Sequence, residues 1–373
     1  MKYVDIDEFI KLFEAKPITF TQFLRNAKVR IGKNQTPLKE YIARKSIPID
    51  DIKTLFENIK NRNEYLTRFY NLSLKIPVQT HITDPPMKTN EMNNNIEIKY
   101  KNLIRNIHYK DILQNTKSGI ENVPTYMDVI YDLYVNSIID YKFLTPSALH
   151  YIKNGRIGSV FSSYYFRASI MNPYLVYSLN HRVLHGTKVF TPTLGWSSYA
   201  YGFLECPNII EYVGTDVIPS VCKKTKELIT NHPHRIKSDI YCQPSENLAK
   251  STKFLNQYRE HFDLVFFSPP YYQLELYDSP NQSTTKYKNY EDWLQKYWEE
   301  TIKLCYHVLE KKGKLCYILS GYGSNNEYDL LTDMNKITKK YFKLKGQQPM
   351  HNKDVHVTKH KETAEKIMVF IKE

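Results

Sequence analysis

From about residue 120 onward the chain alternates apolar runs of four to six residues with segments of helical periodicity. Short runs that are apolar throughout suit strands buried on both faces, and such strands belong to a largely parallel sheet covered by crossover helices. The strand candidates are residues 188–191, 212–216, 239–242, 262–267, 314–320 and 366–371. Helix candidates 219–231, 245–260, 290–309 and 326–341 fall between them. The pattern predicts an α/β fold with a doubly wound, Rossmann-like sheet. Ligands of such sheets bind beyond the carboxyl ends of the strands, so the chemistry is expected in the loops that follow them.

The front of the chain reads differently. Residues 7–15, 19–28, 38–45 and 52–70 carry apolar side chains at three and four spacing, with Asp50 placed to cap the last segment. Residues 77–95 are polar and include Asp84-Pro85-Pro86-Met87 and Asn93-Asn94-Asn95, which suits a loop or linker. The expected organisation is a helical, basic region over residues 1–120 and a catalytic-size domain over residues 121–373.

Among 373 residues, 52 Lys and Arg stand against 39 Asp and Glu, a formal +13. Residues 1–120 hold 21 of the basic and 13 of the acidic side chains. Such an excess attracts nucleic acid through phosphate neutralisation and counterion release, although AT-rich coding also enriches Lys, Asn, Ile and Tyr. No apolar run approaches the roughly 18 residues of a spanning helix, so no membrane is expected. The acidic start, Met1 to Glu8, lacks the features of a signal peptide, and an intracellular location, cytoplasmic or nuclear, is expected. The five cysteines, Cys206, Cys222, Cys242, Cys305 and Cys316, have no metal-knuckle spacing. They are expected to be reduced and buried, with no metal bound.

Within the 262–267 strand candidate, Phe262-Asp263-Leu264-Val265-Phe266-Phe267 runs directly into Ser268-Pro269-Pro270-Tyr271. Two prolines fix the backbone and remove amide donors, which leaves carbonyls free to accept from a planar amino group. Ser268 adds a hydroxyl acceptor, and Tyr271 offers a ring on which an extruded base can stack. The segment resembles the (Asn/Asp/Ser)-Pro-Pro-(Tyr/Phe) motif of amino-group methyltransferases that use S-adenosylmethionine. That resemblance implies a class I methyltransferase sheet and transfer of a methyl group to N4 of cytosine or N6 of adenine in flipped DNA bases. RNA remains open as a partner. It also implies that Ser268 and the Pro269 carbonyl hold the amine, that Pro270 shapes the turn, and that Tyr271 stacks on the base. Asp84-Pro85-Pro86-Met87 follows no strand and ends without a ring, so the same reading does not extend to it.

The loop Thr191-Pro192-Thr193-Leu194-Gly195-Trp196-Ser197 follows the first strand candidate of this region. It resembles the (Asp)-Pro-x-x-Gly-x-Gly cofactor loop, in the Gly-Trp-Gly form of phage and viral DNA methylases. Thr191 stands where an acid is usual and Ser197 where a second glycine is usual. The resemblance implies cofactor contacts at Thr191, Pro192, Gly195 and Trp196. Asp216, 21 residues past Gly195, is placed to hold a ribose hydroxyl pair. Ser245 stands where the family touches the cofactor's adenine. Phe166, upstream of the first strand, is a candidate cover for its methionine end, and Ser268 borders both ligands. Glu275 is a candidate for the substrate side.

Rival readings are a nucleic-acid-binding relative that has lost its cofactor, and methylation of a protein glutamine amide. Carbon-5 cytosine methylation is rejected, because no proline precedes a cysteine. The tripeptide Glu121-Asn122-Val123, which matches that family, lies before the cofactor loop, in the wrong order.

Overall fold

The computed structural model describes residues 1–119, 124–166, 168–277, 279–320, 328–351 and 362–373, without the side chains of 362–364. Glu121-Asn122-Val123 therefore lies outside the described residues. The chain forms two compact units, one of Met1, Ile76–His108 and Ser169–Glu373, the other of Lys2–Lys75 and Tyr109–Ala168. The division differs from the single boundary expected at residue 120, and each unit draws on separate parts of the sequence.

The second unit is largely helical. Leu38–Lys45 has its expected bounds, whereas the segment read as 52–70 is two helices, Ile49–Lys60 and Arg62–Ser73, broken at Asn61. Asp50 sits in the first turn of Ile49–Lys60 and does not cap it. Its core needs residues from beyond 120: Tyr65 stacks on Phe161 at 4.9 Å, and Phe161 meets Phe143 edge-on. A hairpin, Lys28–Ile31 with Asn34–Pro37, turns at Gly32, whose φ of 59° needs a glycine. Ile138–Asp140 pairs parallel to Lys28–Ile31 and completes a three-stranded sheet.

The first unit is built on a seven-stranded sheet. In chain order its strands are β1 (Lys188–Thr191), β2 (Glu211–Asp216), β3 (Lys237–Cys242), β4 (Phe262–Phe267), β5 (Leu309–Ser320), β6 (Lys343–His351) and β7 (Glu362–Ile371). Their spatial order is β6-β7-β5-β4-β1-β2-β3. β1 to β5 pair in parallel, and β7 runs antiparallel to both β5 and β6. This is the expected doubly wound α/β sheet. Its order reverses between β1 and β4, and the crevice above such a switch point is where ligands bind. The middle of the sheet is apolar, with Val189, Phe190, Leu264, Val265, Leu315 and Ile318 fully buried. The 219–231 helix appears as Pro219–Asn231, with Pro219 opening it.

Strand β6 escaped the sequence pattern because it is an edge strand. Lys343, Leu344, Lys345, Gly346 and Gln347 are exposed, so nothing forces apolar alternation, and an edge also tolerates Pro349. Residues 77–95 belong to the first unit and do not bridge the two. The Tyr174 hydroxyl donates to the Pro85 carbonyl at 2.5 Å, and the Met87 amide donates to the Ser178 hydroxyl at 3.0 Å. Among the described residues no helix is long and apolar enough to cross a membrane.

Candidate active site

The loops after β1, β2, β3 and β4 converge on one cleft of about 1210 Å³, its open mouth included. Pro192, Gly195, Trp196, Asp216, Ser245, Ser268, Pro269, Pro270 and Tyr271 all line it. Nine of the residues singled out in the sequence thus meet at the carboxyl edge of the sheet.

Ser268 is fixed from three sides. Its amide donates to the Tyr199 hydroxyl at 3.0 Å, its carbonyl lies 3.4 Å from the same hydroxyl, and its own hydroxyl donates to the Ile318 carbonyl at 3.1 Å. With that proton engaged, the Ser268 oxygen has only acceptor capacity left for a ligand. Burial pushes the Tyr199 hydroxyl up to about 12, so it stays protonated. The Tyr271 hydroxyl accepts from the Ser320 amide at the end of β5, at 2.9 Å, which fixes the ring at the cleft wall.

The loop after β1 turns through three consecutive left-handed residues, with φ of 51° at Gly195, 58° at Trp196 and 68° at Ser197. A Cβ on residue 195 would stand 2.2 Å from the Tyr199 ring, so only glycine fits. Ser197 adopts the glycine-like conformation with help. Its buried hydroxyl lies 2.8 Å from His108 Nε2 and 2.7 Å from the Thr225 hydroxyl. The departure from a second glycine is therefore built into the packing. Thr191 is wholly buried and its hydroxyl meets that of Tyr212 at 2.8 Å; it is not among the cleft-lining residues.

Asp216 closes the loop from the neighbouring strand. It accepts from the Leu194 amide at 3.1 Å and the Ile218 amide at 3.1 Å. Two carboxylate oxygens keep further lone pairs, which suits a pair of ribose hydroxyls. Ser245 lines the cleft, but its hydroxyl already meets Thr301 at 2.8 Å. The lining residue Tyr297 is 4% exposed, and its hydroxyl has no hydrogen-bond partner among the described residues. A buried hydroxyl of that kind calls for a polar ligand. Burial holds Asp216 and Glu275 above the usual carboxylate range, and a cation in the cleft would relieve both. The adenosine and the sulfonium of S-adenosylmethionine both fit this lining.

The segment upstream of β1 contributes Ser169, Ile170 and Met171 to the cleft. Phe166 is not among the lining residues; it belongs to the other unit, where it meets Tyr126 edge-on at 6.0 Å. Glu275 does reach the cleft and accepts from the Ser169 amide at 2.9 Å and from the Tyr277 hydroxyl. Sequence reasoning missed Tyr199, Tyr277, Tyr297, Met350 and Glu365. For Tyr199 a signal exists, since a residue four past Gly195 at the start of a helix folds back over the loop.

Four of the five cysteines are buried as expected, and Cys242 is exposed. His81, Glu205 and His232 bring three possible metal-ligand atoms within 4.8 Å of one another. The His234 amide donates to His232 Nδ1 at 3.1 Å, so the proton of the neutral ring sits on Nε2 and points at Glu205, 2.8 Å away. That tautomer makes the cluster a hydrogen-bonded clasp.

No protein-family model matches the chain, and no curated protein matches it. Among solved structures, PH0226 from Pyrococcus horikoshii OT3 is similar at 12% identity over 50% of this chain and 82% of that one, with a TM-score of 0.34. TrmN from Thermus thermophilus is similar at 12% identity over 54% of this chain and 49% of its own, with a TM-score of 0.36. The N-methyltransferase NodS from Bradyrhizobium japonicum WM9 is similar at 12% identity over 53% and 91%, with a TM-score of 0.33. At these scores the likeness adds nothing to the fold, which rests on the strand order and register above.

Proposed function

We propose that this protein transfers a methyl group from S-adenosylmethionine to the exocyclic amino group of a base in DNA, N4 of cytosine or N6 of adenine. One observation carries the reading. Ser268-Pro269-Pro270-Tyr271 at the end of β4 shares a cleft with the Gly195 loop after β1 and with Asp216 at the end of β2, at the switch point of the sheet.

When bound, the cofactor supplies an electrophilic methyl group on a sulfonium. The chain supplies everything else. Asp216 and the Gly195 loop hold the nucleoside end. The Ser268 oxygen and the Pro269 carbonyl accept from the amine, which favours a localised nitrogen lone pair, and no covalent nucleophile is needed. Tyr271 supports the base, which must first leave the duplex. Holding amine and methyl carbon near contact distance does most of the rest. The second unit carries 21 Lys and Arg against 14 Asp and Glu, which suits phosphate backbone.

The test is methyl transfer from labelled S-adenosylmethionine to duplex and single-stranded DNA, with RNA as a parallel substrate, for wild type, Ser268→Ala and Tyr271→Ala. Both variants are expected to lose at least tenfold in kcat/KM. Absence of cofactor binding at millimolar concentration, or unchanged turnover in both variants, refutes the reading.

A further inference from the structure

Strand β7 runs against its neighbours, so it begins at the edge of the sheet where they end. Glu365, near its start, is paired in register with Ser320, the last residue of β5. The Ser320 amide in turn holds the Tyr271 hydroxyl at 2.9 Å. Topology and register thus deliver a carboxyl group to the cleft wall beside the Ser-Pro-Pro-Tyr segment, and Glu365 lines that cleft.

Amine methylation poses a proton problem that the motif does not solve. The nitrogen lone pair forms the bond to carbon, and the carbon–sulfur bond breaks with its electron pair retained by sulfur. The nitrogen is left with one proton and one positive charge too many. A serine hydroxyl and a peptide carbonyl accept hydrogen bonds but are too weakly basic to take that proton. A carboxylate can take it.

We propose that Glu365 is the proton acceptor of the reaction, with one of its carboxylate oxygens taking the N–H proton as the methyl group arrives. This rests on the amino-methylation reading above. Among the described residues, the titratable groups around Glu365 are Lys101, with Arg105 on the same helix, and the hydroxyls of Tyr271 and Tyr199. Burial, with the charge of Glu365 second, keeps Tyr271 protonated, and burial keeps Tyr199 so. Burial lifts the Glu365 carboxyl, and the Lys101 ammonium opposes the lift. A base raised in this way sits closer to the working pH.

The experiment uses the full chain, S-adenosylmethionine and mixed-sequence DNA, and compares wild type with Glu365→Gln and Glu365→Asp. Glu365→Gln is expected to lower kcat about 100-fold, to abolish the acidic limb of the kcat–pH profile, and to leave cofactor affinity by calorimetry within about threefold. Glu365→Asp withdraws the carboxyl by one methylene and is expected to lose about tenfold in kcat at an unchanged melting temperature, which keeps the proposal testable if the Gln variant fails to fold. A kcat within threefold of wild type in a folded Gln variant, or an unchanged rate in the Asp variant, overturns the assignment of Glu365 alone. Failure of the wild type to methylate any nucleic acid overturns the underlying reading instead.

Discussion

The Tyr199 hydroxyl accepts from the Ser268 amide at 3.0 Å, so a residue of the helix that follows the Gly195 loop fixes the first residue of the Ser-Pro-Pro-Tyr turn. The two halves of the cleft are thereby held in one geometry. Tyr199→Phe leaves a partly buried amide unpaired, which costs about 1 kcal/mol. The expected outcome is a kcat lowered about tenfold, with S-adenosylmethionine affinity nearly unchanged. Steady-state kinetics with calorimetry on the same preparation checks it.

Tyr297→Phe should move two readouts in opposite directions. Removing a buried hydroxyl that has no partner among the described residues spares its desolvation, so the melting temperature of the free protein is expected to rise. If that hydroxyl contacts the cofactor, affinity falls about fivefold, the equivalent of one hydrogen bond of about 1 kcal/mol. Thermal melts with and without S-adenosylmethionine report both effects. A melting temperature that rises by the same amount in both conditions would refute the contact.

Ser197→Gly restores the residue usual in similar loops, yet it is expected to cost stability. Glycine relieves the left-handed strain at φ 68°, worth about 1 kcal/mol. It also removes the hydroxyl that meets His108 and Thr225, two buried hydrogen bonds worth about 1 kcal/mol each. The net expectation is a loss of about 1 kcal/mol in denaturant unfolding, with no gain in cofactor affinity.

Lys101 lies buried in the first unit, and burial, aided by Arg105, lowers its ammonium to about 7. A lysine depressed in the folded state costs stability wherever the unfolded chain would bind the proton. The cost is fully present below about 7 and fades as pH rises toward the unfolded value of 10.5. Lys101→Met is therefore expected to stabilise the protein most at pH 7 and below, with the advantage shrinking by up to about 1.4 kcal/mol per pH unit above that. Urea unfolding of both proteins at pH 7, 8 and 9 checks the trend.

Much of the first unit is legible in the sequence. β1 and β4 have their expected bounds, because the part of a strand buried on both faces must be apolar, as Val189-Phe190 and Leu264-Val265-Phe266-Phe267 are. The Gly195 loop, Asp216 and Ser268-Pro269-Pro270-Tyr271 are equally plain, because each lies at the carboxyl end of a strand or directly after it. Phe166 misleads because an aromatic residue serves a core as readily as a ligand, and here it packs on Tyr126. The boundary at residue 120 misleads because a change of texture along the chain does not say which surfaces bury one another.

What the sequence alone determined is therefore local: strand, turn and the residue types at each strand end, all set by burial period and backbone stereochemistry. What only the tertiary structure decided is which of those ends meet. Tyr199 on Ser268, Tyr297 in the cleft lining and Glu365 opposite Ser320 depend on strand order and register, which bring together residues far apart in the chain. No local pattern records such a distance, because the free energy that fixes it comes from burying the whole sheet at once.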